Sequence, residues 1–378
     1  MDFKPLASFI DRITSWRVPW AEVLVMHQNE PVFHYRNGYA NLEEQTPIGD
    51  GAIFNLYSMT KIMTCVAGLQ LVERGDMLLS DPLSEYLPEY ADMKVKKTMA
   101  NGEVRLEQAT RVITVRDLFT MTAGFSYDVG CPSIQEIVQS SNGTASTRDF
   151  AKALAKEPLL FEPGTHWNYS MCHDVLGALV EVVSGKRFGT YLRDAITEPL
   201  GMKDTAFDLN EEQQRRLIPQ YAYNDELGQA VRMDGNGFRV STELESGGAG
   251  LMSTVSDYAR FLNALTGRGT SPDGVRILSQ ASVELMRTDH LNEMTRGDYS
   301  WDHMDGYGYG LGVRTHISKA GSGSLSPLGE FGWSGAAGCM AIIDPDSELT
   351  VMYAQHLLNS QEPYVQRRLR NVVYSCLS

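Results

Sequence analysis

The chain has 378 residues, of which 43% are hydrophobic, and this is enough for a large core in one big domain or in a domain with a sizeable insertion. Its formal net charge of −14 argues against nucleic acid and against an anionic membrane surface as partners. The five cysteines are widely scattered, without a Cys-x-x-Cys spacing, so we expect neither a disulfide framework nor a zinc site.

The amino terminus lacks a basic segment followed by an apolar run, and no stretch is long and apolar enough to span a bilayer. We therefore expect a cytoplasmic protein without a signal peptide or a membrane-embedded part. Residues 2–16 carry apolar side chains at helical spacing, which predicts an amphipathic helix. Residues 20–26 and 32–35 are β-rich and flank a polar turn, which predicts a hairpin.

The next element is predicted to be a helix over residues 55–75, because apolar residues recur there at helical spacing and Gly75 stands where a C-terminal cap belongs. The middle of the chain, residues 76–245, is predicted to consist mostly of helical pieces and long polar loops, with helices at 115–121, 146–155, 172–184 and 189–196. Within it, residues 94–111 are polar and charged, and we expect a mobile loop there.

The last third of the chain mirrors the first. A helix over 253–265 is followed by a Gly/Ser-rich run, 321–324, which fits either a plain loop or the rim of a pocket. Strands at 338–343 and 349–353 form a second hairpin, and a closing helix is predicted over 362–376. Two terminal hairpins with flanking helices predict one antiparallel sheet that is joined from both chain ends and covered by helices.

Ser58 and Lys61 are three residues apart near the start of the 55–75 helix, so they share a face. A serine hydroxyl becomes a nucleophile when a neighbouring base takes its proton, and an amine can do this if burial or nearby charge lowers its pKa. The pair resembles the Ser-x-x-Lys signature of penicillin-binding proteins and serine β-lactamases. Alone, it also fits a plain helix start with Ser58 as a cap and Lys61 exposed.

Further segments along nearly the whole chain are similar to the serine β-lactamase and penicillin-binding protein family, in the class C β-lactamase-related branch that includes D,D-peptidases, acyltransferases and family VIII-type carboxylesterases. They are residues 69–75, 79–83, 86–88, 113–118, 121–124, 162–170, 198–205 and 247–254. The resemblance implies an α/β (α+β) sandwich domain formed by residues 1–75 and 246–378, with an antiparallel sheet flanked by helices. It also implies a mainly helical subdomain, residues 76–245, of the β-lactamase/transpeptidase type, with the active site between the two.

The resemblance places the family's Tyr-x-Asn motif on Tyr169, Ser170 and Met171. It implies that Tyr169 points its phenol at Ser58 and Lys61, where the cation favours phenolate and the pair can act as general base and later as acid. Met171 departs from the family pattern, because a thioether cannot donate the hydrogen bond that the asparagine amide gives to substrate. We expect the pocket at Met171 to be more apolar.

The third family motif falls on Trp333-Ser334-Gly335. The resemblance makes these three residues part of the substrate site, and the backbone N–H groups of Ser58 and Ala336 the oxyanion hole. Trp333 stands where relatives carry a cation that holds a substrate carboxylate, and an indole has no charge. Together with Met171 it favours neutral esters over carboxylate-bearing β-lactams and peptides.

The first functional hypothesis is therefore a serine hydrolase that forms an acyl-enzyme on Ser58, a carboxylesterase on small to medium neutral esters with weak β-lactam hydrolysis. Alternatives within the family are a class C-like β-lactamase or D,D-peptidase, an acyltransferase, and a non-catalytic penicillin-binding-like protein.

A Ser-His-Asp hydrolase is a further alternative, because residues 332–336 resemble a Gly-x-Ser-x-Gly elbow around Ser334, although its last position is alanine. The histidines are scattered, so we expect no metal site, and we expect no cofactor. A small-molecule ester or amide is the expected partner, and the oligomeric state stays open.

Overall fold

Both ends of the chain contribute to one eight-stranded antiparallel sheet in the computed structural model, which describes residues 1–99 and 101–377. The strands of the described residues are β1 (Trp20–His27), β2 (Glu30–Asn41), β3 (Thr46–Pro47), β4 (Phe54–Asn55), β5 (Lys94–Thr98), β6 (Val104–Gln108), β7 (Gln220–Asn224), β8 (Gln229–Met233), β9 (Met252–Ser253), β10 (Tyr307–Tyr309), β11 (Arg314–His316), β12 (Phe331–Gly332), β13 (Met340–Asp344), β14 (Leu349–Ala354) and β15 (Leu357–Leu358). The large sheet has the order β10-β11-β12-β13-β14-β1-β2-β3.

Helices cover both faces of this sheet. The α-helices are α1 (Lys4–Trp16), α2 (Thr60–Glu73), α3 (Val115–Phe119), α4 (Pro132–Ser140), α5 (Thr147–Leu154), α6 (Cys172–Ser184), α7 (Phe188–Leu192), α8 (Glu211–Arg216), α9 (Val255–Thr266), α10 (Gln280–Arg287), α11 (Glu293–Arg296), α12 (Lys319–Ser322) and α13 (Glu362–Cys376). Short 3-10 turns occupy residues 57–59, 83–85, 88–90 and 302–304, and a π turn occupies 193–197.

The interior pair β1 and β14 joins the two ends of the chain, with Val23 opposite Tyr353. On one face, α1 and α13 share an apolar cluster with the sheet, formed by residues such as Phe9, Val25 and Leu369. On the other face lies α9, where the Thr266 and Thr350 hydroxyls are 2.7 Å apart. The predicted terminal helices, both hairpins and the antiparallel sheet joined from both ends are confirmed.

The segment 76–245 contains the predicted helices but also two hairpins that the sequence did not indicate. Residues 94–108, expected to be a mobile loop, form the antiparallel pair β5–β6, and residues 220–233 form β7–β8. The prediction of a loop was wrong because four of the five β5 residues and all five of β6 are only partly buried or exposed. A strand pair without a buried face leaves no alternation of apolar and polar residues in the sequence. The division into 1–75 with 246–378 and 76–245 stays a prediction.

The helix α2 runs through the middle of the molecule and is buried on all sides from Thr60 to Leu69. The predicted start at residue 55 was too early, because residues 54–55 pair with β9 and residues 57–59 form a 3-10 turn. The predicted cap at Gly75 is confirmed: this residue has φ +73°, in the left-handed region that glycine tolerates, just after the helix ends. Ser58 therefore sits at the junction of a strand and a buried helix.

Candidate active site

Ser58 lies in a tight turn that presents it to a cavity of about 690 Å³. The preceding residue, Tyr57, has φ +48°, a backbone region that costs energy for any residue with a Cβ atom. Tyr57 is held there by burial and by a 2.6 Å hydrogen bond from its hydroxyl to the Gln220 side chain. The turn is therefore fixed by its surroundings, and Ser58 is oriented before any ligand arrives.

Lys61 is fully buried and its ammonium group points at the Ser58 hydroxyl. Its Nζ atom donates to the Gly248 carbonyl oxygen at 2.7 Å and lies 3.2 Å from Ser58 Oγ and 3.2 Å from the Tyr127 phenol oxygen. It also stands 4.6 Å from the ring centre of Tyr169. The structure thus excludes the exposed lysine of a plain helix start and brings Ser58, Lys61 and Tyr169 together.

A lowered pKa, which Lys61 would need in order to act as a base, is not found in the free protein. Burial acts in that direction, but the oxygens of Tyr127, Tyr169 and Asp174 more than offset it and hold the pKa of Lys61 above its ordinary value. Lys61 is therefore an ammonium ion at neutral pH. In this state it donates hydrogen bonds and stabilises negative charge, and it cannot itself take the proton of Ser58.

Tyr127 is a site residue that the sequence analysis missed. It lies in the irregular segment between α3 and α4, and its ring is stacked on that of Tyr169 with centres 5.3 Å apart and an angle of 7°. Burial raises the pKa of Tyr127 to about 12, with Lys61 opposing, so its phenol stays protonated at neutral pH. The only signal was its place just after the 121–124 turn, and no motif spacing marked it.

Asp174 supports the lysine from behind. One of its carboxylate oxygens accepts hydrogen bonds from the Ser246 hydroxyl at 2.5 Å and from the Gly248 N–H at 3.2 Å. Gly248 is the residue whose carbonyl oxygen binds Lys61. Asp174 is fully enclosed, and burial raises its pKa although the nearby Lys61 lowers it. It therefore orients the Gly248 peptide and adds negative charge near the lysine.

The segment 333–336 forms the wall opposite Lys61. The Trp333 indole N–H donates to the Tyr169 phenol oxygen at 3.1 Å, and Trp333, Ser334, Gly335 and Ala336 line the same cavity as Ser58. A Cβ atom on Gly335 would lie 2.3 Å from the Leu56 carbonyl oxygen, so only glycine lets this segment approach the turn that carries Ser58. The backbones of Ser58 and Ala336 therefore border one space.

One predicted substrate-binding residue, Met171, and one segment that fitted a pocket rim, 321–324, lie away from this cavity. Met171 is 1% exposed and lines a small enclosed gap behind Tyr127, so it faces the protein interior rather than the cavity. The Gly/Ser-rich run 321–324 forms the end of α12 and its left-handed cap at Gly323, and it is absent from the cavity lining. Its interpretation as a pocket rim was wrong.

The Ser-His-Asp alternative finds no support around Ser334. This residue is followed by a turn, in which Gly338 donates to the Gly335 carbonyl, and then by β13, whereas a nucleophile elbow needs a helix there. His303 lines the cavity, and three other histidines lie outside its lining. His166 pairs with Asp298, His173 is buried against the Phe119 carbonyl, and His356 contacts Asn55 and the Pro219 carbonyl. Within residues 1–99 and 101–377, no cluster of metal-ligating side chains is found.

A family model described as Beta-lactamase matches residues 8–374. The chain belongs to the beta-lactamase family. Protein Rv1367c of Mycobacterium tuberculosis is 32% identical over 325 residues, covering 84% of this chain and 80% of the relative. Esterase EstB of Burkholderia gladioli is 29% identical over 373 residues, covering 92% and 88%.

Among solved structures, simvastatin synthase (LovD) from Aspergillus terreus superposes with a TM-score of 0.81 at 25% identity, covering 98% of this chain and 97% of that one. The predicted family and its α+β fold are confirmed, and this beta-lactamase-family chain is a serine hydrolase of the branch that includes esterases and acyltransferases. None of the helices in the described part of the chain has the length and apolar character to cross a membrane.

Proposed function

We propose that the protein is a carboxylesterase that cleaves small to medium neutral esters through an acyl-enzyme on Ser58. The observation that carries the proposal is the approach of the buried Lys61 ammonium to within 3.2 Å of Ser58 Oγ, at one end of an open cavity. A buried cation beside a hydroxyl favours loss of the hydroxyl proton. Small-molecule esters or amides of the cytoplasm are the proposed substrates.

In the proposed mechanism, Tyr169 reacts as its phenolate: the Ser58 oxygen attacks the ester carbonyl while the Ser58 proton moves to the Tyr169 oxygen, which becomes a phenol. Two neighbours favour negative charge on that oxygen: the Lys61 ammonium beside the ring and the Trp333 N–H that donates to it. The protonated Tyr127 keeps the lysine in place and takes no proton. Tyr169 then gives its proton to the leaving alcohol, and water repeats the steps in reverse order.

The carbonyl oxygen, negative in the tetrahedral intermediate, would be bound by the backbone N–H groups of Ser58 and Ala336. The loss of one such donor costs about 10²–10³-fold in rate in other enzymes. Ser334 and Gly335 would lie along the substrate. Trp333 offers a ring and no charge where a carboxylate would need a cation, so β-lactams should be poor substrates.

The test compares p-nitrophenyl butyrate with nitrocefin on the wild type, Ser58→Ala and Ser334→Ala. We expect rapid ester cleavage by the wild type, slow nitrocefin turnover, and a loss of about 10⁴-fold or more in Ser58→Ala. Ser334→Ala should lose no more than about tenfold, because it removes only a substrate contact. Ester cleavage that survives Ser58→Ala but not Ser334→Ala would replace this mechanism with the elbow mechanism.

Transfer of the acyl group to an alcohol is a second candidate, because LovD, which shares the fold, is named a synthase. The same acyl-enzyme can be opened by water or by an alcohol that occupies the cavity. Adding 1-butanol to the p-nitrophenyl butyrate reaction separates the two. A transferase should form butyl butyrate faster than butyrate at millimolar alcohol, and a hydrolase should form mainly butyrate.

A further inference from the structure

The cavity in front of Ser58 is lined by aromatic rings and one carboxylate. Tyr169, Trp301 and Trp333, which we call the aromatic wall, have ring centres 5.5–6.4 Å apart. The first turn of α13 closes the same cavity with Glu362, Pro363 and Arg367. Apart from Tyr169, none of these residues belongs to the Ser-Lys-Tyr machinery, so their chemistry bears on which substrate the cavity accepts.

The Glu362 carboxylate is without a counter-charge among the described residues. Within residues 1–99 and 101–377, no hydrogen bond or ion pair to this group is found. Burial alone raises the pKa of Glu362 to about 8. A glutamate in the first turn of a helix commonly interacts with the positive end of the helix dipole. No hydrogen bond from a backbone N–H of α13 to the Glu362 carboxylate is found among the described residues.

Four other titratable groups lie around Glu362. The Cys339 thiol is behind it, with its pKa raised to about 12 by burial and further by the Glu362 charge, against a backbone hydrogen bond to Gln355. Tyr169 and His303 line the cavity in front. Arg367 is exposed at the rim, and it contributes nothing to the pKa of Glu362. The carboxylate is partly buried and has no partner among the described residues, so a cationic ligand would supply the partner that it lacks.

We propose that Glu362 and the aromatic wall together bind an ammonium group of the substrate, so that the preferred esters carry a positive charge away from the scissile carbonyl. Aromatic faces attract cations through their ring quadrupoles, and an adjoining carboxylate adds a direct ion pair. The inference rests on the proposed function and extends its substrate class from neutral to cationic esters. Neutral esters of the same shape remain substrates with weaker binding.

The experiment compares butyrylcholine with 3,3-dimethylbutyl butyrate, its uncharged carbon isostere, so that only charge differs. We expect the wild type at about pH 9, where Glu362 is ionised, to prefer butyrylcholine about tenfold in kcat/KM, mainly through KM. The isosteric Glu362→Gln variant should reduce the preference to about parity. Glu226→Gln, which changes an exposed glutamate in the β7–β8 turn, should retain it.

The preference should also depend on pH with a defined sign. The cation binds the ionised carboxylate, so the ratio of the two kcat/KM values should rise as pH increases through about 8 in the wild type and stay flat in Glu362→Gln. Ser58→Ala gives the background hydrolysis to subtract. Thermal melting of each variant confirms that it is folded.

The outcomes separate this inference from the function on which it rests. Loss of p-nitrophenyl butyrate cleavage in the wild type, or its survival in Ser58→Ala, would overturn the proposed function. If that cleavage is normal, three results would overturn the inference alone: equal use of the two esters, turnover of neither, or a preference that persists in Glu362→Gln. A preference that disappears only in Glu362→Gln supports it.

Discussion

The active-site cavity has one charged residue whose hydrogen bonds are completed inside the protein and one that has no partner in the described part of the chain. Lys61 is fully buried and has three oxygen partners, Gly248, Ser58 and Tyr127, at 2.7–3.2 Å. Glu362 is held by burial to a raised pKa of about 8 and has no partner among the described residues. A charge whose hydrogen bonds are completed inside the protein is fixed for one chemical task. A charge left without partners is available to a ligand.

The largest effect on activity is expected from removing the charge of Lys61, the residue whose hydrogen bonds are completed inside the protein. Lys61→Met keeps the length of the side chain but cannot donate to Ser58, and it leaves the Gly248 carbonyl without its donor. We expect kcat for p-nitrophenyl butyrate to fall by about 10³-fold or more. Lys152→Met, at an exposed position of α5, should keep the wild-type rate. A loss of less than tenfold in Lys61→Met would show that the ammonium is not needed.

The next effect tests how closely the two sides of the cavity must approach. In Gly335→Ala the added carbon would lie 2.3 Å from the Leu56 carbonyl oxygen, so residues 335–336 must move away from Ser58. We expect kcat to fall about 10²-fold, because the Ala336 N–H no longer reaches the oxyanion. Gly49→Ala is the matched control, since its new carbon meets no atom within 4 Å. Equal activity of the two variants would contradict this role of residues 335–336.

A smaller effect on activity is expected at Asp174, which binds the Gly248 peptide that contacts Lys61. Asp174→Asn keeps the shape of the side chain but weakens its hold on Gly248 and removes a negative charge that raises the pKa of Lys61. We expect kcat to fall about tenfold. The alkaline limb of the pH–rate profile should also move to lower pH, because the ammonium loses its proton more readily. A lower melting temperature with an unchanged pH profile would reduce Asp174 to a structural residue.

The smallest effect is on protein stability, and it comes from the titration of Glu362. The pKa of Glu362 is raised from 4.5 to about 8, so between these values the folded protein holds a proton that the unfolded chain has lost. This contribution to stability is present below about pH 4.5 and is lost as pH rises through about 8. The melting temperature of the wild type should therefore fall relative to Glu362→Gln, by about 2–4 °C, between about pH 5 and pH 9. A constant difference would mean that Glu362 is already compensated.

The sequence predicted the parts of the molecule whose structure follows from the spacing of nearby residues. Apolar spacing predicted α1 and α13, and turn residues between β-rich runs predicted both hairpins of the main sheet. The cluster of Ser58, Lys61 and Tyr169 followed from motif spacing and from the family resemblance. These features are encoded within a few residues of each other, or in an order that the family shares.

The features that the sequence did not predict depend on distant parts of the chain. Tyr127 reaches Lys61 from an irregular segment with no motif, and the hairpin β5–β6 has no buried face to leave a pattern. The sequence left open whether Lys61 acts as a base or as a cation, because its pKa depends on oxygens that other segments bring to the amine. Glu362 lies more than 300 residues from Ser58, so only the folded structure shows that both border one cavity.

The most direct test of the account is to identify the residue that carries the acyl group. The wild type would be mixed with p-nitrophenyl butyrate, quenched in acid within milliseconds, digested and measured by mass spectrometry. The account predicts an increase of about 70 Da, one butyryl group, on the peptide that contains Ser58, and none in Ser58→Ala. A butyryl group on Ser334, or continuing turnover with no acylated peptide, would contradict it.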